Sequence, residues 1–140
     1  MQTIDLSKIN NVHFIGIGGI GISAIAHMML GEAGPNAEGG RGKNVTGQDM
    51  QESDIVRALR DLGADITIGQ SFENIPKDTD LIVYTIAIEY YDKELFDKLK
   101  GQSIPIKSYP EMLGLASDGK YTIAVAGTHG KTTTTGMIAQ

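Results

Sequence analysis

The chain has 140 residues, of which 41% are hydrophobic and 21% charged, a mix that suits a folded globular chain and argues against wholesale disorder. Twelve Lys plus Arg against seventeen Asp plus Glu leave a net charge of −5, with the basic residues scattered, so no nucleic-acid partner is expected. Cysteine is absent, which excludes disulfides, thiolate metal sites and a cysteine nucleophile. With no membrane-length apolar run and no signal-peptide core in residues 1–11, the expectation is a cytoplasmic protein without a membrane span.

Val12–Ile17 is a short apolar run ending in glycines and reads as a buried strand. Ile20–Leu30 is apolar nearly all round, which predicts a helix buried against a sheet. Gly31–Gly42 contains five glycines and Pro35 and reads as a loop. A second strand is predicted over Asn44–Gly47, followed by Asp49. Ser53 can cap a helix over Asp54–Leu62, with Ile55, Val56, Leu59 and Leu62 on one face and Gly63 as its stop. The mixed charges of Glu52–Asp61 predict an exposed helix face.

Strands follow at Asp65–Ile68 and Asp80–Tyr84, then a helix over Asp92–Lys100 stopped by Gly101, and a strand at Ile104–Lys107. Tyr109–Ala116 reads as a helix with Pro110 in its first turn. The strand Tyr121–Ala126 and a helix starting at Lys131 close the chain. Such alternation predicts an α/β, Rossmann-like parallel sheet with helices on both faces, plus the first strand–P-loop–helix of a second α/β domain. The polar stretch near Leu115–Lys120 divides the two, giving 1–116 as a nucleotide-binding domain and 117–140 as the start of another.

Glycine stands out at 18 residues, nearly twice the usual ~7%. Gly16, Gly18 and Gly21 match G-x-G-x-x-G between a strand and a helix. The first glycine allows the tight turn, the second lets backbone approach a diphosphate, and the third permits close packing. The helix start then offers N–H groups and a positive dipole end. The alternative is a glycine turn that only packs the βαβ unit. An acidic residue about 20 positions on takes ribose hydroxyls in nicotinamide-binding units. Asp49, 28 positions past Gly21, is the candidate here, and a plain helix-entry or turn aspartate is its alternative.

The second loop, Gly127-Thr128-His129-Gly130-Lys131-Thr132-Thr133, carries the G-K-T core of a P-loop. Its N–H groups would cradle phosphates, Lys131 would reach the β- and γ-phosphates of ATP, and Thr132 would ligand Mg²⁺. The general pattern has glycine where Val125 stands, so the loop is a shorter variant. His13 reads as a satisfied or exposed strand histidine and His27 as structural; the three histidines have no metal-site spacing. Glu89–Asp92 sits where ligands bind in such sheets, as a substrate rim or as the solvated start of a helix.

HFIGIGGIGIS (His13–Ser23), Gly47-Gln48-Asp49, YPEML (Tyr109–Leu113) and AVAGTHGKTTTT (Ala124–Thr135) occur in the order found in the Mur ligases of peptidoglycan synthesis, and the chain resembles that family from about residue 12 to 140. The HFIGIGG run favours the branch that joins L-alanine to UDP-N-acetylmuramate over the branch that recycles a tripeptide. The resemblance implies a first domain for the UDP-linked substrate, a second for ATP and a third for the amino acid. It implies diphosphate contact at Gly18, Gly19, Ile20 and Gly21, uridine contact by Asp49, and a site also lined by Gln70, Thr85, Ile86, Ala87 and Ile88. Gln70 stands where the family often has His, and Thr85-Ile86-Ala87-Ile88 where it often has Ser-Ser-Ala-Ile. The implied reaction is ATP-dependent amide formation through an acyl phosphate, with weak substrate binding and no turnover by these 140 residues alone. A nicotinamide-binding sensor module is the competing reading, and a free-standing P-loop regulator is a third.

Overall fold

A computed structural model describes residues 4–31 and 43–117. Both the P-loop of 127–133, with Lys131 and Thr132, and most of the Gly31–Gly42 loop lie outside the described residues. Five parallel strands, β1 (Asn11–Ile15), β2 (Asn44–Asp49), β3 (Asp65–Ile68), β4 (Leu81–Tyr84) and β5 (Ile106–Ser108), are ordered β3-β2-β1-β4-β5. The predicted Rossmann-like sheet is therefore present. Its topological switch lies at β1, which has β2 on one side and β4 on the other.

Parallel strands need crossovers, and helices supply most of them. They are α1 (Ile20–Gly31), α2 (Asp54–Asp61), the short α3 (Ile88–Tyr91), α4 (Lys93–Lys100) and α5 (Tyr109–Ser117). The β3–β4 connection is different: it carries only a 3-10 turn over Phe72–Asn74. Helix α2 begins as predicted, with Ser53 Oγ accepting the Val56 N–H, and ends before Gly63 at φ +110. Helix α5 begins on a capping box: Ser108 and Glu111 exchange side-chain and backbone hydrogen bonds across the first turn.

Side chains alternate between the two sheet faces. On the first, Val12, Phe14, Val45, Ile66, Leu81 and Val83 pack under α1, α2 and α5. On the second, Ile15, Ile82 and Tyr84 pack with Ile88, Leu95 and Leu99 of α3 and α4. Two expectations need correction. Helix α1 is buried on one side only: Ile20 is 86% exposed and His27 is exposed, because the helix lies on the surface of a single sheet layer. Leu62 is also 53% exposed, since it follows the last turn of α2 rather than lying beneath it. The predicted boundary near 116–117 falls at the end of α5, and the segment beyond lies outside the described residues.

Candidate functional site

The C-terminal ends of the strands bring most of the sequence-predicted residues together. The glycine loop leaves β1 at Gly16, where φ is +77, a conformation that glycine adopts without strain. Space imposes the same choice: a Cβ on Gly16 would lie 2.5 Å from Thr85 Cγ2, at the start of the loop after β4. Thr85 N–H also donates to Ile15 O at 3.1 Å. The β1 and β4 loops thus meet at the switch point.

The loop is held from the β2 side. Gln48 O accepts both Gly16 N–H and Ile17 N–H, at 2.9 and 3.2 Å. Ile17 folds back over Gly47, where a Cβ would come within 2.6 Å of Ile17 Cδ1. Asp49, the last residue of β2, accepts Gly18 N–H on Oδ2 at 2.8 Å and Gln51 N–H on Oδ1 at 3.2 Å. Its backbone carbonyl accepts Gly69 N–H at 2.8 Å. Asp49 is therefore fixed against the glycine loop through Oδ2, while its Oδ1 bond to Gln51 N–H also makes it a turn aspartate. The third glycine also has a definite reason. A Cβ on Gly21 would stand 2.5 Å from Tyr109 Cζ, so the Tyr109 ring of α5 packs directly on α1. Tyr109 belongs to the YPEML block, and the two motifs are in contact.

Beyond Thr85, Ile86 and Ala87 form a turn into α3; Ile86 is exposed and Ile88 buried, so only part of this segment can line a site. Glu89–Tyr91 belong to α3, a short helix with no counterpart among the sequence expectations, and Asp92 caps α4, the helix expected over Asp92–Lys100. Tyr84 Oη donates to Glu89 Oε1 at 3.4 Å, and burial together with Glu89 and Glu111 pushes the phenol up to about 12. Gln70 Oε1 accepts from Tyr91 Oη at 3.2 Å, while Gln70 Nε2 is buried without a hydrogen-bond partner.

One group is not visible in the sequence as a unit. His13, Thr46 and Gln48 are on the second sheet face; Thr46 is opposite His13 and Gln48 is opposite Ile15. Gln48 Oε1 accepts Ser71 N–H at 2.7 Å and lies 3.3 Å from the Asn74 Nδ2 donor. That turns Gln48 Nε2 towards His13 Nε2, at 2.9 Å. His13 Nε2 must then accept, so Nδ1 carries the proton and donates to Thr46 Oγ1 at 2.8 Å. Burial pulls the His13 imidazole down to about 4, consistent with this neutral form. The available signal was register: residues 13, 46 and 48 share a face once β1 and β2 are aligned in parallel.

Among the described residues no group of three or more His, Asp or Glu could hold a metal ion, and the Mg²⁺ expectation rests on Thr132, outside them. No helix of the described residues is long and apolar enough to cross a membrane.

Comparison with known proteins fits this geometry. Residues 11–121 match the model of the Mur ligase family, catalytic domain. The chain is 43% identical over its whole length to a UDP-N-acetylmuramate–L-alanine ligase of Agathobacter rectalis, of which it covers 28%. It is 47% identical to the corresponding ligase of Clostridium tetani, over 96% of the chain and 27% of that relative. Among solved structures, a UDP-N-acetylmuramate-alanine ligase of Thermotoga maritima superposes with a TM-score of 0.74 at 33% identity, covering 92% of this chain and 28% of that one. A murein peptide ligase of Psychrobacter arcticus gives 0.73 at 30% identity, covering 93% and 25%. The chain spans little more than a quarter of the length of these relatives. With residues 11–121 inside the family match, the chain belongs to the Mur ligase family.

Proposed function

We propose that this chain is the nucleotide-substrate-binding part of an ATP-dependent ligase that joins L-alanine to UDP-N-acetylmuramate. The observation that carries the reading is the glycine loop at the β1–β4 switch point with the Asp49 carboxylate fixed beside it. The start of α1 suits a diphosphate, the N–H groups of Gly16, Ile17, Gly18 and Gly19 being already engaged within the protein, and Asp49 retains lone pairs for ribose hydroxyls. Gly16, Gly18, Gly19, Ile20 and Gly21 are the proposed diphosphate side, and Gln70, Thr85, Ile86 and Ala87 the proposed lining of the rest of the site, with Ile88 buried behind them. The 43–47% identity to ligases named for this reaction supports the L-alanine branch.

In that reaction the muramoyl carboxylate attacks the γ-phosphorus of ATP, the bond to the β–γ bridging oxygen breaks, and ADP leaves. The alanine amine then attacks the acyl phosphate; phosphate departs and the nitrogen loses a proton as the amide forms. Lys131 and the other residues of 127–133 are the proposed ATP contacts, with Thr132 toward Mg²⁺, which would neutralise phosphate charge. ATP and a nucleotide-linked sugar are cytoplasmic metabolites, so the proposed location is the cytoplasm. The 140 residues are proposed to bind substrate without turning it over.

Amide shifts during titration with UDP-N-acetylmuramate and with NAD test the reading. Shifts at Gly18–Gly21 and Asp49 with the UDP ligand are expected; shifts with NAD alone would overturn it in favour of the sensor module. Asp49→Ala should weaken the UDP ligand about tenfold, equivalent to about 1.4 kcal/mol. ATP hydrolysis by the 140-residue chain would contradict the proposed lack of turnover.

A further inference from the structure

The segment after β3 is bracketed on both sides of Gln70. Gly69 is tied by its N–H to Asp49 O at 2.8 Å and by its carbonyl to Asn74 Nδ2 at 2.9 Å. Ser71 is tied by its N–H to Gln48 Oε1 at 2.7 Å. Between these anchors Gln70 turns its carboxamide towards Tyr91, with Nε2 buried and unpartnered. The anchor at Ser71 depends on Gln48, which is fully buried, and Gln48 is oriented in turn by His13. Gln48 also borders the glycine loop, because its backbone carbonyl accepts from Gly16 and Ile17. One residue therefore touches both walls of the candidate site, by its main chain on one side and its side chain on the other.

We infer that Gln48, locked by His13, is a positioning residue that sets where the Gln70 segment stands relative to the glycine loop. The physical basis is the loop cover of this part of the sheet. A helix satisfies its own backbone, whereas a loop laid on a buried face presents N–H groups that need acceptors from below. A carboxamide can satisfy Ser71 while its other end is held, and a buried imidazole with one defined tautomer holds that end. An apolar residue at 48 would fill the space but leave the Ser71 N–H without this acceptor. The carboxamide of Gln70 would then lose its fixed height at the rim.

The importance of this rim for ligand binding rests on the proposed nucleotide site, so the test has a ligand-free arm. In Gln48→Leu, Ser71 amide exchange should accelerate at least tenfold and the Gln70 side-chain amide resonance should shift, while the Phe14 and Val83 amides keep their protection. Gln48→Glu, which retains the acceptor, should restore Ser71 protection; its imidazole nitrogen shifts should report protonation at His13 Nε2. UDP-N-acetylmuramate affinity should fall at least fivefold in Gln48→Leu and recover in part in Gln48→Glu. If Gln48→Leu fails to fold, Gln48→Met, which also lacks the acceptor for Ser71 N–H, carries the same expectations. Unchanged Ser71 exchange and Gln70 resonance would overturn the inference, as would unchanged affinity alongside a released Ser71. If the unmodified chain binds no UDP ligand, the functional reading fails, and the exchange and resonance measurements still decide whether Gln48 positions the segment.

Discussion

The two faces of the sheet solve the same burial problem in different ways. Across the first face, one row runs Val83, Phe14, Gly47, Ile66, all apolar or glycine, beneath α1, α2 and α5. Across the second, the neighbouring row runs Tyr84, Ile15, Gln48, Thr67 and grows more polar towards β3. The apolar half of that second face lies under α3 and α4, whereas the polar half meets the 69–74 segment. A helix needs only apolar surface beneath it; an irregular segment needs hydrogen-bond partners as well. The cover dictates the chemistry of the face, and here the polar half is also the half that borders the candidate site.

The largest expected effect belongs to the apolar face. Phe14 is fully buried, so Phe14→Ala should cost about 3–5 kcal/mol in urea unfolding. A loss below about 1 kcal/mol would mean that the first face is not the chief source of stability. The polar face should instead reveal itself through pH. The unfolded His13 takes up a proton near its ordinary 6.5, whereas the folded imidazole, buried, does so only near about 4. The unfolded state therefore binds more protons between those values, and stability falls as pH drops from 6.5 to 4, by about 3 kcal/mol at most. His13→Gln keeps an acceptor for Gln48 and should flatten that slope. Equal slopes in the two proteins would remove the imidazole from the account. Glu111 titrates in a lower window: burial opposes its ionisation, but hydrogen bonds from Ser108 and the nearby Lys107 hold it below the usual carboxylate range. The smallest effect should come from Thr46→Val, which removes the acceptor of His13 Nδ1–H with little change of shape. A loss of about 1–2 kcal/mol is expected by chemical denaturation, and no loss would show that Thr46 does not hold the imidazole.

Much of this organisation is legible in the sequence because it is local. The apolar runs, the Ser53 cap, the glycine stops and the strand–glycine loop–helix pattern each depend on a few neighbouring residues. The alternation of elements then leaves few arrangements of a parallel sheet. Errors arose where burial depends on what lies opposite. Helix α1 has an apolar sequence nearly all round, yet its outer side is exposed because one sheet layer covers only one side. The sequence of the β3–β4 connection has no helical pattern, and its short 3-10 turn leaves no signal there. Gly21 fits a motif in sequence, but its reason, the Tyr109 ring, lies 88 positions away.

What the sequence by itself determined is the type of the main strands and helices, the parallel α/β class and the placing of the glycine loop after the first strand. These follow from periodicity and backbone stereochemistry, which act over a few residues. Only the tertiary structure decided that Asp49 caps Gly18, that Thr85 closes on Gly16, and that His13 and Gln48 face one another beneath the Gln70 segment. Those contacts depend on strand order and register, which no single stretch of chain contains.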